Sequence, residues 1–328
     1  MIITRTPFRI SFFGGGTDYP VYYREHGGAV ISATIDKYCY VTVRRYPPFF
    51  DHKYHVRYSK REMVQTIDQI EHPSVRECIR FSGYQDGVEV VHAGDLPARS
   101  GIGSSSSFTV GLLHALYALQ GRMATRRQLA FDAIQVEQNM IRENVGSQDQ
   151  MAAAFGGLNR IEFHPDGGIW VTPVTIGPEK VRQLQSSLLF YFTGLSRTAS
   201  EIAAEQIRST PGKSKELQQM KEMVEEATGI LNGPPDRLDD FGRLLHDSWM
   251  LKRQLTAKIS NSTIDQIYDL ARKHGALGGK LCGAGGGGFV VFYVPPDRQP
   301  AVKDALKDLL LVPFRFESLG SHVVFYST

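Results

Sequence analysis

The chain has 328 residues, 42% hydrophobic and 22% charged, an ordinary globular composition that excludes disorder and is long enough for two domains. Its 37 basic and 34 acidic residues leave a formal charge of +3 and are spread along the chain. No Lys/Arg block marks a nucleic-acid or membrane footprint, although a small anionic ligand is compatible with this balance. Cys39, Cys78 and Cys282 lie far apart and form no C-x-x-C pair, which argues against a disulfide framework or zinc site and fits a reducing cytoplasm. The N-terminal MIITRTPFRISFFGGG lacks a basic segment followed by a long apolar run, and nothing approaches the ~20 apolar residues of a bilayer span. No export or anchoring signal is expected.

In chain order, RISFF (9–13), AVISATI (29–35), YCYVTVRRY (38–46), YHVRYS (54–59) and VEVVHA (88–93) are rich in β-branched and aromatic residues and predict one sheet. Asp36-Lys37 predicts a hairpin between the second and third runs, though without the glycine that favours such a turn. Helices are predicted at about 104–120 and 125–143, then strands at 156–163 and 167–174 around the turn His164-Pro165-Asp166-Gly167. Composition shifts near Gly177-Pro178, giving expected domains at 1–180 and 181–328. The second holds a buried strand at 186–194, a long helical region with apolar residues at three- and four-residue steps, a helix near 298–310, and short strands near VPFRFE and HVVFYS.

Three glycine clusters stand out: FFGGGTDYP (12–20), RSGIGSSSS (99–107) and GAGGGGF (283–289). Glycines let backbone N–H groups converge, and a helix N-terminus adds free donors and partial positive charge, so an anion is the natural guest. A tight turn or a helix cap would account for any one cluster alone. In the middle cluster Gly101 and Gly103 precede four serines at a helix start, more hydroxyls than capping needs. A Walker A loop is excluded because no G-x-x-x-x-G-K-[ST] occurs. Gly283, Gly285 and Gly288 satisfy G-x-G-x-x-G, but the following FVVFYV predicts a strand, whereas the dinucleotide fingerprint opens a helix.

The ordered triple PFRISFFGGGTDYP, PARSGIGSSSS and KLCGAGGGGF resembles the three motifs of the GHMP kinase superfamily over essentially the whole chain. The resemblance implies an α+β, two-domain fold, with an N-terminal domain like the second domain of ribosomal protein S5 and a ferredoxin-like C-terminal domain. It implies ATP and Mg²⁺, with Gly101, Gly103 and Ser104, Ser105, Ser106 and Ser107 on the ATP phosphates. Ser105 and Glu137 would meet the metal, Asp149 would be the catalytic aspartate, and Arg9 a basic residue beside it that offsets charge on the moving phosphoryl group. Surface charge is the plain alternative for Glu137 and for Asp149.

Galactokinases carry G-E-H-T-D-Y where this chain has Gly14-Gly15-Gly16-Thr17-Asp18-Tyr19, so Asp18 is kept while two polar sugar contacts are gone and galactose becomes doubtful. The runs HAGDLPARSGIGSSSSFTVGLLHAL, ENVGSQDQMAAAFGGLNRIEF and YFTGLSRTASEI are similar to heptose 7-phosphate kinases within the superfamily. That similarity implies transfer to the anomeric hydroxyl of D-glycero-D-manno-heptose 7-phosphate, giving the 1,7-bisphosphate for GDP-heptose and surface polysaccharide. Gly15, Gly16, Thr17, Asp18, Arg197, Gly283, Gly285 and Gly286 are then the substrate-binding candidates. Independently, TGLSRTAS gathers Ser196, Arg197, Thr198 and Ser200 at a predicted strand-to-helix junction, suited to a second phosphate or to simple capping. Trp249, Lys252 and Arg253 fall on neighbouring helical positions and either line the same pocket or pack the tryptophan in a core with exposed cations. A kinase for fucose, galactose or an octose phosphate stays open, as does a non-catalytic sugar and ATP sensor. The expected partners are small molecules, with no nucleic acid or membrane; a homo-oligomer is compatible.

Overall fold

The computed structural model describes residues 1–194 and 199–327. The first half runs β1 (Ile2–Phe13), α1 (Pro20–His26), β2 (Gly28–Arg45), β3 (Tyr54–Arg57), β4 (Arg61–Val64), α2 (Pro73–Ser82), β5 (Val88–Gly94), α3 (Ser104–Leu119), α4 (Arg126–Ile134), α5 (Gln148–Phe155), β6 (Leu158–Phe163) and β7 (Ile169–Pro173). The second runs α6 (Pro178–Ser186), β8 (Leu188–Phe192), α7 (Ala199–Ser209), α8 (Ser214–Asn232), α9 (Leu238–Arg253), α10 (Ser262–Lys273), β9 (Gly278–Leu281), β10 (Phe289–Tyr293), α11 (Gln299–Ala305), β11 (Leu310–Leu311) and β12 (His322–Tyr326). The larger sheet has the order β12-β1-β2-β5-β3-β4, with β6 on β2 and β7 on β6; the smaller is β11-β8-β10-β9. Strands before residue 180 belong to the larger sheet and those after it to the smaller, except β12, which crosses back to pair with β1.

The hairpin expected at Asp36-Lys37 does not form. β2 is one 18-residue strand, because β1 runs along it while Gly28–Ala33 pairs with β6 and Cys39–Arg45 with β5. Neither Asp36 nor Lys37 has the positive φ of a tight hairpin turn. They form instead the irregularity opposite Pro7 and Phe8, where the Arg315 N–H donates to Asp36 Oδ1 at 2.7 Å. The strand expected near VPFRFE is correspondingly reduced to an Ile35–Phe316 bridge after the two-residue β11.

Helix α3 is apolar nearly all round beyond its serines and is buried against β1 and β2. The helix expected over 125–143 divides into α4 and a π-helical turn, Gln135–Met140, which carries Glu137 into the interior. A second core gathers Tyr191, Leu217, Met220, Trp249 and Phe292 under the smaller sheet. Phe241 of α9 joins the halves by lying edge-on to Phe12 and Phe13, with ring centres 5.5 and 5.0 Å away.

The second and third glycine clusters touch backbone to backbone. At Gly101, φ is +83° and a Cβ would fall 2.3 Å from the Cys282 carbonyl oxygen; at Gly283, φ is +74° and a Cβ would fall 2.5 Å from Gly101 Cα. Gly101→Ala therefore combines a left-handed backbone with a clash against main chain, and is expected to cost roughly 2–4 kcal/mol. Gly83→Ala meets the same backbone penalty at φ +70° with nothing within 4 Å and should cost about 1 kcal/mol. Urea unfolding of the two variants measures the difference.

Candidate active site

Strand β1 brings Arg9 to the centre of the molecule, where its guanidinium grips Asp149 at the start of α5. Arg9 Nε donates to Asp149 Oδ1 and Nη2 to Oδ2, both at 2.7 Å, while Nη1 donates to the Gly101 carbonyl at 2.7 Å. The Arg9 side chain is 5% exposed and that of Asp149 15%, so the carboxylate keeps an open side. A Cβ on Gly103 would sit 3.3 Å from Asp149 Oδ2, which places the second glycine cluster directly over the ion pair. Fork-to-fork pairing fixes the plane as well as the position of the carboxylate.

Asp18 lies close enough to feel the Asp149 charge and is 2% exposed. Burial pushes its carboxyl above the ordinary range; the Gly16 N–H, donating to Oδ1 at 2.9 Å, opposes this, and the Asp149 charge adds to it. Thr17, expected among the substrate contacts, is fully buried. Its hydroxyl reaches the carbonyls of Gly14 (2.8 Å) and Ala29 (2.9 Å) and accepts the Ala29 N–H (3.1 Å), so it clasps the turn to β2 and does not face a ligand. Gly15 and Gly16 do border the centre, with Ser11, Gln148, Lys252 and Gln206 beside them.

The four serines separate by helical phase. Ser107 N–H makes the first helical bond, to the Gly103 carbonyl at 2.9 Å, leaving the N–H groups before it without intrahelical partners. Ser104 accepts the Arg99 N–H at 3.2 Å and Ser105 is exposed. Ser106 and Ser107 are buried at 1% exposure: Ser106 donates to Glu137 Oε2 at 2.8 Å and Ser107 to the Pro7 carbonyl at 2.9 Å. Ser107 is thus committed to the fold, a correction to its expected phosphate role. Arg99, which sequence reasoning passed over, is exposed on this loop with φ +59°, an uncommon conformation for a side chain of its size.

Glu137 is fully buried and accepts from Ser106, from Thr109 Oγ1 (2.8 Å) and from Gln150 Nε2. The structure bonds Ser106 to it, whereas Ser105, expected with Glu137 on the metal, is exposed. Burial, with Glu143 adding, pushes the Glu137 carboxyl up to about 7, although three donors oppose the shift. Gln150 Oε1 is buried with no partner among the described residues. A carboxylate, two hydroxyls and a free amide oxygen form a hard-oxygen set without a cationic side chain bonded to it, which fits Mg²⁺.

The third cluster has a mainly architectural placement. Gly283 faces Gly101, a Cβ on Gly285 would strike Ile259 backbone at 2.7 Å, and the Gly286 N–H donates to the Ile259 carbonyl at 2.9 Å. Lys252 is 5% exposed and donates to the Gly283 carbonyl at 2.6 Å. Burial lowers its ammonium to about 8, the Asp18 charge opposing and Arg9 adding. Of its sequence neighbours, Trp249 is in the second core and Arg253 pairs with Asp265 at 2.9 Å. Arg197, Ser196 and Thr198 lie outside the described residues, as does the side chain of Ser200.

Residues 73–157 match the GHMP kinases N terminal domain and residues 227–310 the GHMP kinases C terminal model. The chain is 30% identical over 318 residues to a D-glycero-alpha-D-manno-heptose 7-phosphate kinase from Campylobacter jejuni, covering 93% of each chain. It is 26% identical to a galactokinase from Pyrococcus furiosus, covering 97% of this chain and 96% of that one. A D-glycero-D-manno-heptose 1-phosphate kinase structure from Bacteroides thetaiotaomicron superposes over all of both chains with a TM-score of 0.79 and 24% identity. The two-domain α+β fold and the ordered motifs agree with these likenesses, and the chain belongs to the GHMP kinase family as a sugar kinase that transfers phosphate from ATP to an alcohol.

Proposed function

We propose that the acceptor is D-glycero-D-manno-heptose 7-phosphate and that its anomeric hydroxyl is phosphorylated to the 1,7-bisphosphate. The likeness to the Campylobacter kinase over 93% of both chains supports this reading. So does Gly14-Gly15-Gly16, which leaves more room beside Asp18 than the larger side chains of galactokinases. The observation that carries the chemistry is the Arg9–Asp149 fork beneath the Gly101–Gly103 loop. In this reading the loop and the first N–H groups of α3 hold the ATP phosphates, and Asp149 takes or orients the proton of the attacking hydroxyl. Arg9 keeps that carboxylate aimed and offsets charge on the transferring group. Glu137, Ser106 and Thr109 would hold Mg²⁺, which neutralises phosphate charge when bound.

ADP release with D-glycero-D-manno-heptose 7-phosphate, mannose 6-phosphate, mannose, galactose and fucose, with phosphorus NMR of the product, tests the acceptor. Selective turnover of the heptose phosphate with a new anomeric phosphate signal is expected; preference for an unphosphorylated sugar would overturn it. Asp149→Asn is expected to lower kcat by roughly 10²–10⁴-fold while leaving the KM for ATP within a factor of three. Equal turnover of variant and wild type would remove Asp149 from the chemistry.

Glu137 also gives stability a pH dependence. Its folded value of about 7 lies above the ordinary 4.5, so between those limits the native state binds more protons than the unfolded chain. Its contribution is full below about 4.5 and is lost as pH rises through about 7. Glu137→Gln should flatten this slope, leaving the ligand-free variant more stable than wild type at pH 8 yet slower in turnover. Urea titrations at pH 5.5 and 8, paired with rates, measure both.

A further inference from the structure

Three side-chain polar atoms are buried near the first glycine cluster and meet no partner among the described residues: Ser11 Oγ on β1, Gln148 Oε1 on α5 and Gln206 Nε2 on α7. Each such group costs about 1–3 kcal/mol when left unpaired, and native interiors rarely keep several together. Their side chains also converge. A Cβ on Gly15 would lie 3.6 Å from Ser11 Oγ, 3.7 Å from Gln148 Nε2 and 3.9 Å from Lys252 Nζ, and one on Gly16 would lie 2.7 Å from Gln206 Nε2.

Gly15 differs from its neighbours in an instructive way. Gly14 and Gly16 have φ values of +78° and +116°, whereas Gly15 is outside the left-handed region. Its three nearest atoms are at ordinary van der Waals distance. Neither strain nor clash demands glycine at position 15, so what its missing side chain provides is space among three polar groups.

We propose that Ser11, Gln148 and Gln206 read the ring hydroxyls of the acceptor sugar, with the bare backbone of Gly15 and Gly16 as the floor of the cradle. This rests on the sugar-kinase reading and assigns the cradle to the uncharged end of the substrate. The donor pattern selects that chemistry. Gln206 Nε2 can only donate, Gln148 Oε1 can only accept, and Ser11 Oγ does both. The Gln148 amide also acts on Asp18 in the direction of a donor, which fixes which end of the amide is left over. A hydroxyl donates and accepts and can meet all three, whereas a phosphate has no proton for Gln148 Oε1 and would face Asp18.

Gly15→Ala and Gln206→Leu test the cradle, assayed beside wild type with D-glycero-D-manno-heptose 7-phosphate, galactose and fucose at saturating ATP. Gly15→Ala should melt with wild type, since its methyl group meets only ordinary contacts. In both variants the KM for whichever sugar wild type uses should rise about tenfold or more, with the KM for ATP unchanged. If wild type prefers galactose or fucose, the heptose assignment fails while the cradle stands on the same loss for that sugar. A sugar KM unchanged in both variants overturns the cradle, as does wild type that binds and turns over none of the three.

Discussion

Arg9 is the constraint on which the rest of the centre depends. Its backbone N–H donates to the Ile102 carbonyl at 3.1 Å and its side chain to the Gly101 carbonyl, so one residue of β1 holds the second glycine cluster at two points. The remaining fork holds Asp149, and through it the start of α5. A buried ion pair roughly breaks even against the cost of removing two charges from water. Its worth is therefore positional: it places a carboxylate of fixed orientation under the loop that precedes α3. Losing either partner would leave the other charge buried without its counter-ion, a far larger penalty than the pair's net contribution.

Two buried lysines tie the halves of the chain together. Lys280 of β9 donates to the Phe12 carbonyl at 3.0 Å, and Lys252 of α9 to the Gly283 carbonyl. Burial lowers Lys280 well below its ordinary range, so it is an expensive way to hold two segments together. A hydrophobic contact would do that at less cost, and Phe241 against Phe12 and Phe13 already does. Both lysines instead lie where they interact with Asp18, whose ionisation the nearby Asp149 charge makes costlier. The backbone contact between Gly101 and Gly283 then keeps this arrangement compact.

Much of this was legible in the sequence where local chemistry decides the outcome. Gly103 followed by serines and an apolar run gives α3, and FVVFYV after the third cluster gives β10. The pairing of Arg9 with Asp149 followed from motif resemblance and not from any spacing between residues 140 positions apart. Long-range pairing was not readable: β2 looks like two strands until β1, β5 and β6 claim its length, and the β12 tail carries no sign that it returns to β1. Helical phase separated the serines, since four consecutive residues are spread over about 300° of the helix and only some can face the loop. Gln206 was hidden differently, because a glutamine on an amphipathic helix looks exposed until tertiary packing buries it; Lys252 was open between pocket and surface for the same reason.

The centre treats charge in two ways, and the division bears on its chemistry. Around Asp18 and Asp149 two carboxylates are already present and the leftover polar atoms both donate and accept, a setting that would disfavour a polyanion but suits hydroxyl groups. Above them, the loop and the first turn of α3 offer N–H groups, which donate without desolvating a full charge and need no reorganisation when an anion arrives. In the proposed reading, a reaction that moves a phosphoryl group from one anion to a neutral hydroxyl uses this asymmetry, with anion-binding backbone on one side and a site of mixed donors and acceptors on the other. The Arg9 guanidinium spans the boundary, with one N–H on the loop carbonyl and two on the carboxylate. Any displacement of the loop would therefore be felt at Asp149, so in the proposed reading the donor and acceptor sides are held in register by a single side chain.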